Sequence, residues 1–372
     1  MNGSPYMKDV RDKQPSHQRS HRGWSYVRRR AKSAAGLGII GLLYVVAAFA
    51  DFLAPYDYRV QFRREPLAPP TTIHVRDARN NVYRSPFVYA RRLVDPFEHR
   101  YLEDTRRAYS VRLFARGYSY KLLGLFTSDR HLFGVHSDGR PDAPRVHLLG
   151  TDALGRDRLS RLLIASRFSL VTGPLAALFA SAVGTLLGCV AGYAGRTIDT
   201  VMMRTADIMM ALPTLVLMLA ARAAFPLELP PRRAMILLIT IFVTIGWAEV
   251  ARLARGQVMT LRRSGFVSAA EALGLSPMRV LFRHILPNAA RPLIVQVSLM
   301  LPAFLLAETG LSFLGVGLQE PEASWGNMLA AASDITLLRL HPFLLLTPAF
   351  AIFLFVLGAC LFSDGMLRRS KT

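Results

Sequence analysis

The sequence SAAEALG at residues 268–274, followed by LPN at residues 286–288, stands between two long apolar runs. Its small residues predict a short helix that a partner surface can approach closely, and Gly274 suits the C-terminal end of that helix. Ser276 and Pro277 can begin a second helix. Glu271 is the only acid in this loop, which is surrounded by Arg252, Arg255, Arg262, Arg263, Arg279, Arg283 and Arg291. The pattern predicts a basic cytoplasmic loop, and an ordinary helical hairpin is the plainer interpretation of the same spacing.

The composition favours a membrane protein. The chain has 372 residues, of which 52% are hydrophobic, and a mean hydropathy of +0.27. A net charge of +21 could indicate nucleic-acid binding, but the cations are spread over terminal and inter-span segments without interleaved aromatic residues. Cys189 and Cys360 lie inside apolar runs, so the sequence predicts neither a disulfide framework nor a paired-cysteine metal site.

Apolar runs predict six membrane spans. The first, residues 36–54, has 19 residues, or about 28 Å of helix, which is enough to cross a bilayer. A cleaved signal peptide ending near Ala48-Phe49-Ala50 is the alternative, but more than thirty residues precede this run. The other predicted spans are residues 168–192, 205–225, 235–250, 293–313 and 343–361. An even number of spans and the basic loops predict that both termini and the 255–288 loop are cytoplasmic.

Small residues recur along the second predicted span, among them Gly173, Gly184 and Gly188. Such residues let helices pack closely in lipid.

Residues 55–146 contain no run that could span a membrane and predict a small folded extracytoplasmic insertion. Short strands are predicted at residues 71–75, 82–87 and 111–113, with a turn at residues 78–81. Five histidines occur singly, without the spacing of a helical zinc site, and are interpreted as surface or turn residues: His74, His99, His131, His136 and His147.

These features divide the chain into five parts. Residues 1–33 are predicted to be a basic, mostly disordered cytoplasmic tail, and residues 34–54 the first transmembrane helix. The insertion, residues 55–146, precedes a permease-like core at residues 147–363. A second cytoplasmic tail is predicted at residues 364–372.

The sequence HLLGTDALGRDRLSR at residues 147–161 combines glycines with leucines at roughly helical spacing. It predicts a capped amphipathic helix at the membrane interface before the second span. Residues 324–329, SWGNML, similarly predict a short amphipathic helix at the outer face.

Charged residues near the span ends are Arg204, Asp207, Arg222, Glu249 and Glu308. We interpret them as packing and anchoring residues rather than a proton relay. A proton-coupled secondary transporter, the alternative class, would also be expected to show internal repeats, and no clear self-similarity is visible.

Catalytic motifs are absent from the sequence, including HExxH and GxSxG. None of the five lysines follows a glycine, as a Walker A loop requires. The sequence therefore predicts no enzyme, no cofactor and no metal site, and any uphill transport must draw its energy from a partner.

Three stretches resemble permeases of ABC importers. SAAEALGLSPMRVLFRHILPNAARPLI resembles their EAA loop, although Ser268 stands where the family has its first glutamate. HLLGTDALGRDRLSR resembles the HxLGTDxxGRDxxSR signature of the C-type permease of dipeptide and oligopeptide importers. Residues 311–329 resemble the LSFLGxGxQxPxxSWGxML stretch of the same family. Together the resemblance covers residues 34–54 and 147–372.

The resemblance implies an all-α polytopic membrane protein of six transmembrane helices with a small extracytoplasmic insertion, located in the bacterial inner membrane. It implies a second homologous permease, two cytoplasmic ATPase subunits and an extracytoplasmic solute-binding protein as partners. Peptides are the implied substrates, and nickel, opines and glycosides remain open.

The resemblance also assigns residues. Those implied for the ATPase-coupling loop are Phe266, Ser268, Ala269, Ala270, Glu271, Ala272, Leu273, Gly274, Leu286 and Pro287. Those of the family signatures are Gly150, Thr151, Asp152, Gly155, Arg156, Asp157, Ser324, Trp325 and Gly326.

Overall fold

The protein, seen here as a computed structural model, is described over residues 17–76, 82–122, 124–135, 144–193, 195–331 and 333–367. Its helices are α1 (His17–Ala48), α2 (Ala50–Leu53), α3 (Arg158–Tyr193), α4 (Arg196–Ala211), α5 (Thr214–Ala223), α6 (Pro231–Arg262), α7 (Gly265–Ala272), α8 (Pro277–Val280), α9 (Leu286–Phe313), α10 (Trp325–Ala330), α11 (Ile335–Leu340) and α12 (Phe343–Leu367). A π-helical turn, Leu281–Ile285, joins α8 to α9.

Within these described ranges, five helical segments are long and apolar enough to cross a membrane: Ala31–Ala48, Arg158–Tyr193, Pro231–Arg262, Pro277–Phe313 and Phe343–Met366. The bent pair α4 and α5 makes a sixth if it is counted as one span. The span predicted over residues 205–225 is broken, because the two helices meet at about 90°. Pro213 has no amide hydrogen, and its ring holds Leu212 in an extended conformation with φ −94° and ψ 143°.

Helix α3 is the centre of the bundle. It packs along α6 and α9, while α1 packs along α12. One apolar core lies between α3, α5, α6 and α9 and includes Leu238, Phe242 and Phe304. A second core joins α1, α3, α10 and α12 around Leu170, Trp325 and Phe355.

Both ends of the chain are more helical than predicted. Helix α1 begins at His17, inside the segment predicted to be mostly disordered, and α12 continues to Leu367. Lys32 and Asp364 form an ion pair at 3.2 Å, which joins the two helices at this end. Residues 1–16 and 368–372 lie outside the described ranges.

The insertion contains a four-stranded antiparallel sheet in the order β1 (His74–Arg76), β2 (Val82–Asp95), β3 (Arg100–Leu122) and β4 (Phe126–Val135). β2 and β3 are longer than predicted, whereas β1 is shorter than the predicted strand at residues 71–75 and β4 was not predicted. β3 pairs with β2 along its first half and with β4 along its second half. Register shifts after Tyr89 and Arg116 interrupt the alternation of polar and apolar residues, so periodicity marked only fragments of each strand. The predicted turn at residues 78–81 and His136 lie outside the described residues.

The sheet is fixed to the end of the first span. Helix α2 packs against β3 and β4. His131 is 1% exposed, and its ring nitrogens lie 3.0 Å from the carbonyl oxygens of Asp51 and Tyr118. The interpretation of His131 as a surface residue is therefore wrong, because both ring nitrogens have buried partners that compensate for desolvation.

Candidate functional site

The signature loop, residues 147–157, is not the predicted amphipathic helix. It is a tight turn closed by an isolated bridge between Thr151 and Asp157, and α3 begins only at Arg158. Gly150 and Gly155 have φ of +72° and +74°, in the left-handed region that favours glycine. A Cβ atom at Gly150 would lie 2.4 Å from the Ala68 carbonyl oxygen, and one at Gly155 would lie 2.2 Å from that of Phe62. The glycines therefore permit a backbone contact that helical periodicity did not anticipate.

Asp157 caps the N-terminus of α3. Its Oδ2 atom accepts hydrogen bonds from the amide of Ser160 at 2.8 Å and from the hydroxyl of Ser160 at 2.7 Å. The other carboxylate oxygen lies 2.7 Å from Nδ1 of His147, and Nε2 of His147 lies 2.8 Å from Glu65. His147, which is 1% exposed, is therefore not the predicted surface residue.

Burial and two neighbouring carboxylates act in opposite directions on the imidazole of His147. Burial alone would lower its pKa, but the hydrogen bonds and charges of Asp157 and Glu65 outweigh burial, so the pKa of His147 is raised. For Glu65, burial opposes ionisation and the hydrogen bond from His147 favours it, so its pKa is lowered. A raised pKa for the histidine and a lowered pKa for the glutamate are the shifts that a buried ion pair produces.

Asp152 organises the turn and links it to other elements. Its carboxylate accepts hydrogen bonds from the amides of Leu154 and Arg156 at 2.9 Å each, and from Nε of Arg156 at 2.7 Å. Arg156 also forms an ion pair with Glu320, and Arg161 reaches Glu320 at 3.0 Å. The signature loop thereby joins the start of α3 to the loop after α9.

The loop also holds the entry to the insertion. The Thr151 amide donates to the Ala68 carbonyl oxygen at 3.0 Å, and the Ala68 amide donates to the Thr151 hydroxyl at 2.8 Å. The Thr71 amide donates to the His147 carbonyl oxygen at 2.8 Å.

The end of the third signature stretch, from Trp325 onwards, lies in α10. Ser324 is its N-cap in a reciprocal capping box with Asn327. The indole nitrogen of Trp325 donates to the Leu162 carbonyl oxygen at 3.2 Å, and a Cβ atom at Gly326 would lie 2.5 Å from the Thr309 carbonyl oxygen. Most of this helix is buried against α9, α12 and α3, so it is not the amphipathic helix that the sequence predicts.

On the other side of the bundle, the helix predicted from SAAEALG is α7, which occupies residues 265–272. It ends in a Schellman motif. The Leu275 amide donates to the carbonyl oxygen of Ala270 at 3.2 Å, and the Gly274 amide donates to the carbonyl oxygen of Glu271 at 2.9 Å. Gly274 has φ of +76°. Val267 and Ala270 face inwards and pack with residues of α3, α6 and the π-helical turn.

Most of the α7 residues assigned to the coupling loop are exposed, and Ala270 is the exception. Phe266 and Leu273 are 43% and 83% exposed, and Ser268, Ala269 and Ala272 are also exposed. Ala270 is 5% exposed and belongs to the internal packing, so it does not lie on the free face as predicted. The Glu271 carboxylate accepts a hydrogen bond from Tyr193 at 3.2 Å. Leu286 and Pro287 form the first turn of α9.

Two charged residues predicted to anchor span ends are completely buried. Arg222 donates to the carbonyl oxygens of Phe225, Pro226 and Leu227 at 3.1–3.3 Å. Glu308 accepts a hydrogen bond from Ser312 at 2.8 Å. Two acids of α4 pair with arginines of α6: Asp199 with Arg255, and Asp207 with Arg252.

Several contributors had no signal in the sequence. Glu65, Glu320 and Tyr193 are single residues in irregular segments or at a helix end, and only the folded chain brings them to their partners. In the part of the chain that the structure describes, no three His, Cys, Asp or Glu side chains are grouped to hold a metal ion.

The membrane bundle, with its signature loop and its helical loop between two spans, is that of a multi-pass transport permease. Residues 184–371 match the family of binding-protein-dependent transport system inner membrane components, and the chain belongs to this family. Residues 20–70 match the N-terminal transmembrane domain of oligopeptide transport permease C. The family is one of transport components rather than catalysts.

Characterised relatives are similar over most of the chain. The oligopeptide transport system permease protein OppC of Bacillus subtilis is 32% identical over 254 residues, which cover 68% of this chain and 77% of that protein. The dipeptide transport system permease protein DppC of Alkalihalophilus pseudofirmus is 39% identical over 59% of this chain and 70% of its own length. The probable D,D-dipeptide transport system permease protein DdpC of Escherichia coli is 38% identical over 59% of this chain and 72% of its own length.

Proposed function

We propose that this chain is the permease subunit of an ATP-driven ABC importer that takes up peptides delivered by an extracytoplasmic binding protein. A second homologous permease and two cytoplasmic ATPase subunits complete the transporter. The transport of oligopeptides and dipeptides by OppC and DppC systems supports peptides as the substrate class. Nickel, opines and glycosides are the alternative solutes, and an uptake assay distinguishes them.

The observation that carries the proposal is the exposed apolar face of α7. Phe266 and Leu273 project from a helix whose opposite side is fixed by the packing of Val267 and Ala270. A rigid helix with exposed apolar side chains suits docking into a groove of another protein. In our proposal that groove belongs to the ATPase, and movement of α7 passes directly into α6 and α9.

The charge distribution supports the orientation that we propose. Arg262, Arg263, Arg279 and Arg283 surround α7, which favours the cytoplasmic side for this loop. With six spans, both termini are then cytoplasmic, and residues 55–146 form an extracytoplasmic domain. The core extends over residues 147–363, between this domain and the tail at residues 364–372.

The signature residues have a proposed role at the outer side. Asp152, Arg156 and Asp157 hold the start of α3 against the loop after α9, while Trp325 packs between the same helices. We assign them the task of keeping the outer ends of α3, α9 and α12 together as the spans move.

The experiment compares Leu273→Arg with Thr105→Arg, since both positions are exposed but Thr105 lies on the sheet. Each variant is purified with its partner subunits and assayed for bound ATPase and for peptide uptake. Leu273→Arg should release the ATPase and abolish uptake, whereas Thr105→Arg should retain the ATPase. Full ATPase retention and uptake by Leu273→Arg would remove the basis for the coupling assignment.

The substrate is tested with the wild-type transporter. Labelled oligopeptides should accumulate in cells only when the permease and its ATPases are present. Uptake of nickel, an opine or a glycoside without peptide uptake would replace peptides as the substrate class.

A further inference from the structure

The turn between β3 and β4 reaches the end of the first membrane span. A cavity of about 370 Å³ separates this turn from the bundle. Lys121 and Gly124 line one side of it, and Tyr44, Ala47 and Leu170 line the other. Because the candidate span of α1 ends at Ala48, we expect Gly124 and Leu125 of the β3–β4 turn to lie at the level where the bilayer core meets its headgroups.

Two apolar side chains at this turn have no cover from the rest of the described chain. Leu125 is 76% exposed and Phe126 is 71% exposed. The apolar surface continues onto the bundle, where Val45 of α1 is 55% exposed and Val171 of α3 is 36% exposed. Apolar residues at the tip of a hairpin, continuous with the exposed faces of two spans, fit a hydrocarbon environment.

Two basic side chains stand at the polar rim of the cavity. Arg167 caps the C-terminus of α1 by donating to the carbonyl oxygens of Ala47 at 2.8 Å and Ala48 at 3.1 Å. It also forms an ion pair with Asp51 at 2.8 Å, and its side chain remains 37% exposed. The exposed ammonium of Lys121 stands opposite, and no hydrogen bond or ion pair is found for it within the described ranges. A lysine that is unpaired among the described residues and a partly exposed arginine, above an apolar wall, match a phosphate group above its acyl chains.

We propose that the β3–β4 turn is a phospholipid-binding element. Leu125 and Phe126 enter the outer part of the bilayer core, and the cavity holds a phospholipid whose phosphate lies between Lys121 and Arg167. The insertion is thereby attached to the membrane at a second point, besides its covalent connection to α1. This assignment requires neither a particular transported solute nor an ATPase contact.

The first experiment measures how deeply the residue at position 125 enters the bilayer. The assembled transporter, with Cys189 and Cys360 replaced by alanine, receives a single cysteine at Leu125 or at Thr105 and an environment-sensitive fluorophore. It is reconstituted into vesicles of phosphatidylcholine and phosphatidylglycerol with brominated acyl chains. Bromine should quench the label at position 125 and leave that at position 105 unchanged. Equal quenching at the two positions would overturn the proposal.

Headgroup binding is measured on the same assembly by native mass spectrometry with added phosphatidylglycerol. Lys121→Gln should reduce the number of retained lipids, and Arg130→Gln, an exposed cation on β4, should not. Equal retention by the two variants would overturn the cavity assignment.

A photoreactive amino acid at Leu125 identifies the occupant in native membranes. Lipid adducts support the proposal, whereas adducts only to the second permease would show that a protein covers this turn.

Discussion

Gly188 of α3 lies against the main chain of Ala251 of α6, so closely that a Cβ atom at Gly188 would stand 2.3 Å from the Ala251 carbonyl oxygen. The contact repeats one turn away, where a Cβ atom at Gly184 would stand 2.5 Å from the carbonyl oxygen of Trp247. Close backbone approach over successive turns is how small residues join helices in lipid, as the sequence indicated for this span.

Gly188→Leu should therefore separate α3 from α6. Forced overpacking costs about 1–3 kcal/mol, and contact with a rigid backbone places this case at the upper end. The measurement is thermal unfolding in detergent. Gly41→Leu is the matched control, because nothing lies within 4 Å of a Cβ atom at Gly41. Equal melting temperatures for the two variants would contradict the close contact.

Substitutions at Gly274 change the end of α7 through backbone conformation alone. Its φ is +76°, and a Cβ atom would meet nothing within 4 Å. Gly274→Ala should destabilise the loop by about 1 kcal/mol, and Gly274→Val by more, because β-branched residues tolerate this conformation least. Limited proteolysis at the loop measures the change.

Gly265 provides the control in the same loop. It also has open space around its Cβ position but an ordinary φ, and it begins α7. Gly265→Ala should leave the loop as resistant as in the wild type. Equal sensitivity of both alanine variants would show that the left-handed conformation is unimportant.

The His147 ion pair predicts a pH dependence. Because the pKa of His147 is raised, its stabilisation is complete below the unfolded value near 6.5 and is lost as the pH rises through the folded value. At low pH the wild type should unfold at a higher temperature than His147→Gln, and its free energy of unfolding should be larger by about 2 kcal/mol. At high pH the melting temperatures of the two proteins should converge. Thermal unfolding of both proteins from about pH 5 to about pH 9 measures this difference in stability.

Glu65→Gln tests whether the carboxylate of Glu65 causes the pH dependence. Removing the carboxylate should flatten the pH dependence of the wild-type melting temperature while retaining the shape of the side chain. The lowered pKa of Glu65 means that its own contribution is lost only as the pH falls through that pKa. A difference between wild type and His147→Gln that grows with pH would contradict a raised pKa for His147.

Orientation is tested with single cysteines at Thr105 and Ser264 in a background without Cys189 and Cys360. An impermeant thiol reagent added to intact cells should label position 105 and spare position 264, because the basic loop around α7 favours the cytoplasm. After lysis both positions should react. Labelling at 264 before lysis would reverse the orientation.

The insertion can be removed without stretching the core. The amide of Thr71 bonds to the carbonyl oxygen of His147, so the chain leaves and returns at one point. Replacing residues 74–143 with a short glycine-serine linker should leave the permease assembled with its partners. If the insertion docks the binding protein, uptake is lost, and normal uptake would show that transport does not need it.

The sequence predicted best where local physics acts alone. Gly274 ended α7 as expected, since a left-handed C-terminal residue is a local requirement, and long apolar runs located the spans. Prediction was poorer where tertiary contacts decide the conformation. The leucines of residues 147–161 have helical spacing, yet the backbone contacts at Gly150 and Gly155 select a turn for the first part of that stretch.

The sequence also did not predict which charged side chains are buried. His147 and Arg222 looked like surface or interface residues because their partners are distant carboxylates or main-chain carbonyl groups. Ala270 could not be separated from Ala269 and Ala272 by composition, since only the packing of α7 decides which small residue faces inwards.

The right-angled corner between α4 and α5 limits what can surround it. At such a corner the final carbonyl groups of α4 lose their intrahelical partners, and Pro213 offers no amide in return. Acyl chains cannot donate hydrogen bonds, so a corner of this kind is stable only beside water or another polypeptide. The apolar residues Leu212, Leu215 and Val216 beside this corner are exposed on this chain. We therefore expect water or a neighbouring polypeptide, rather than hydrocarbon, against the main chain at the corner.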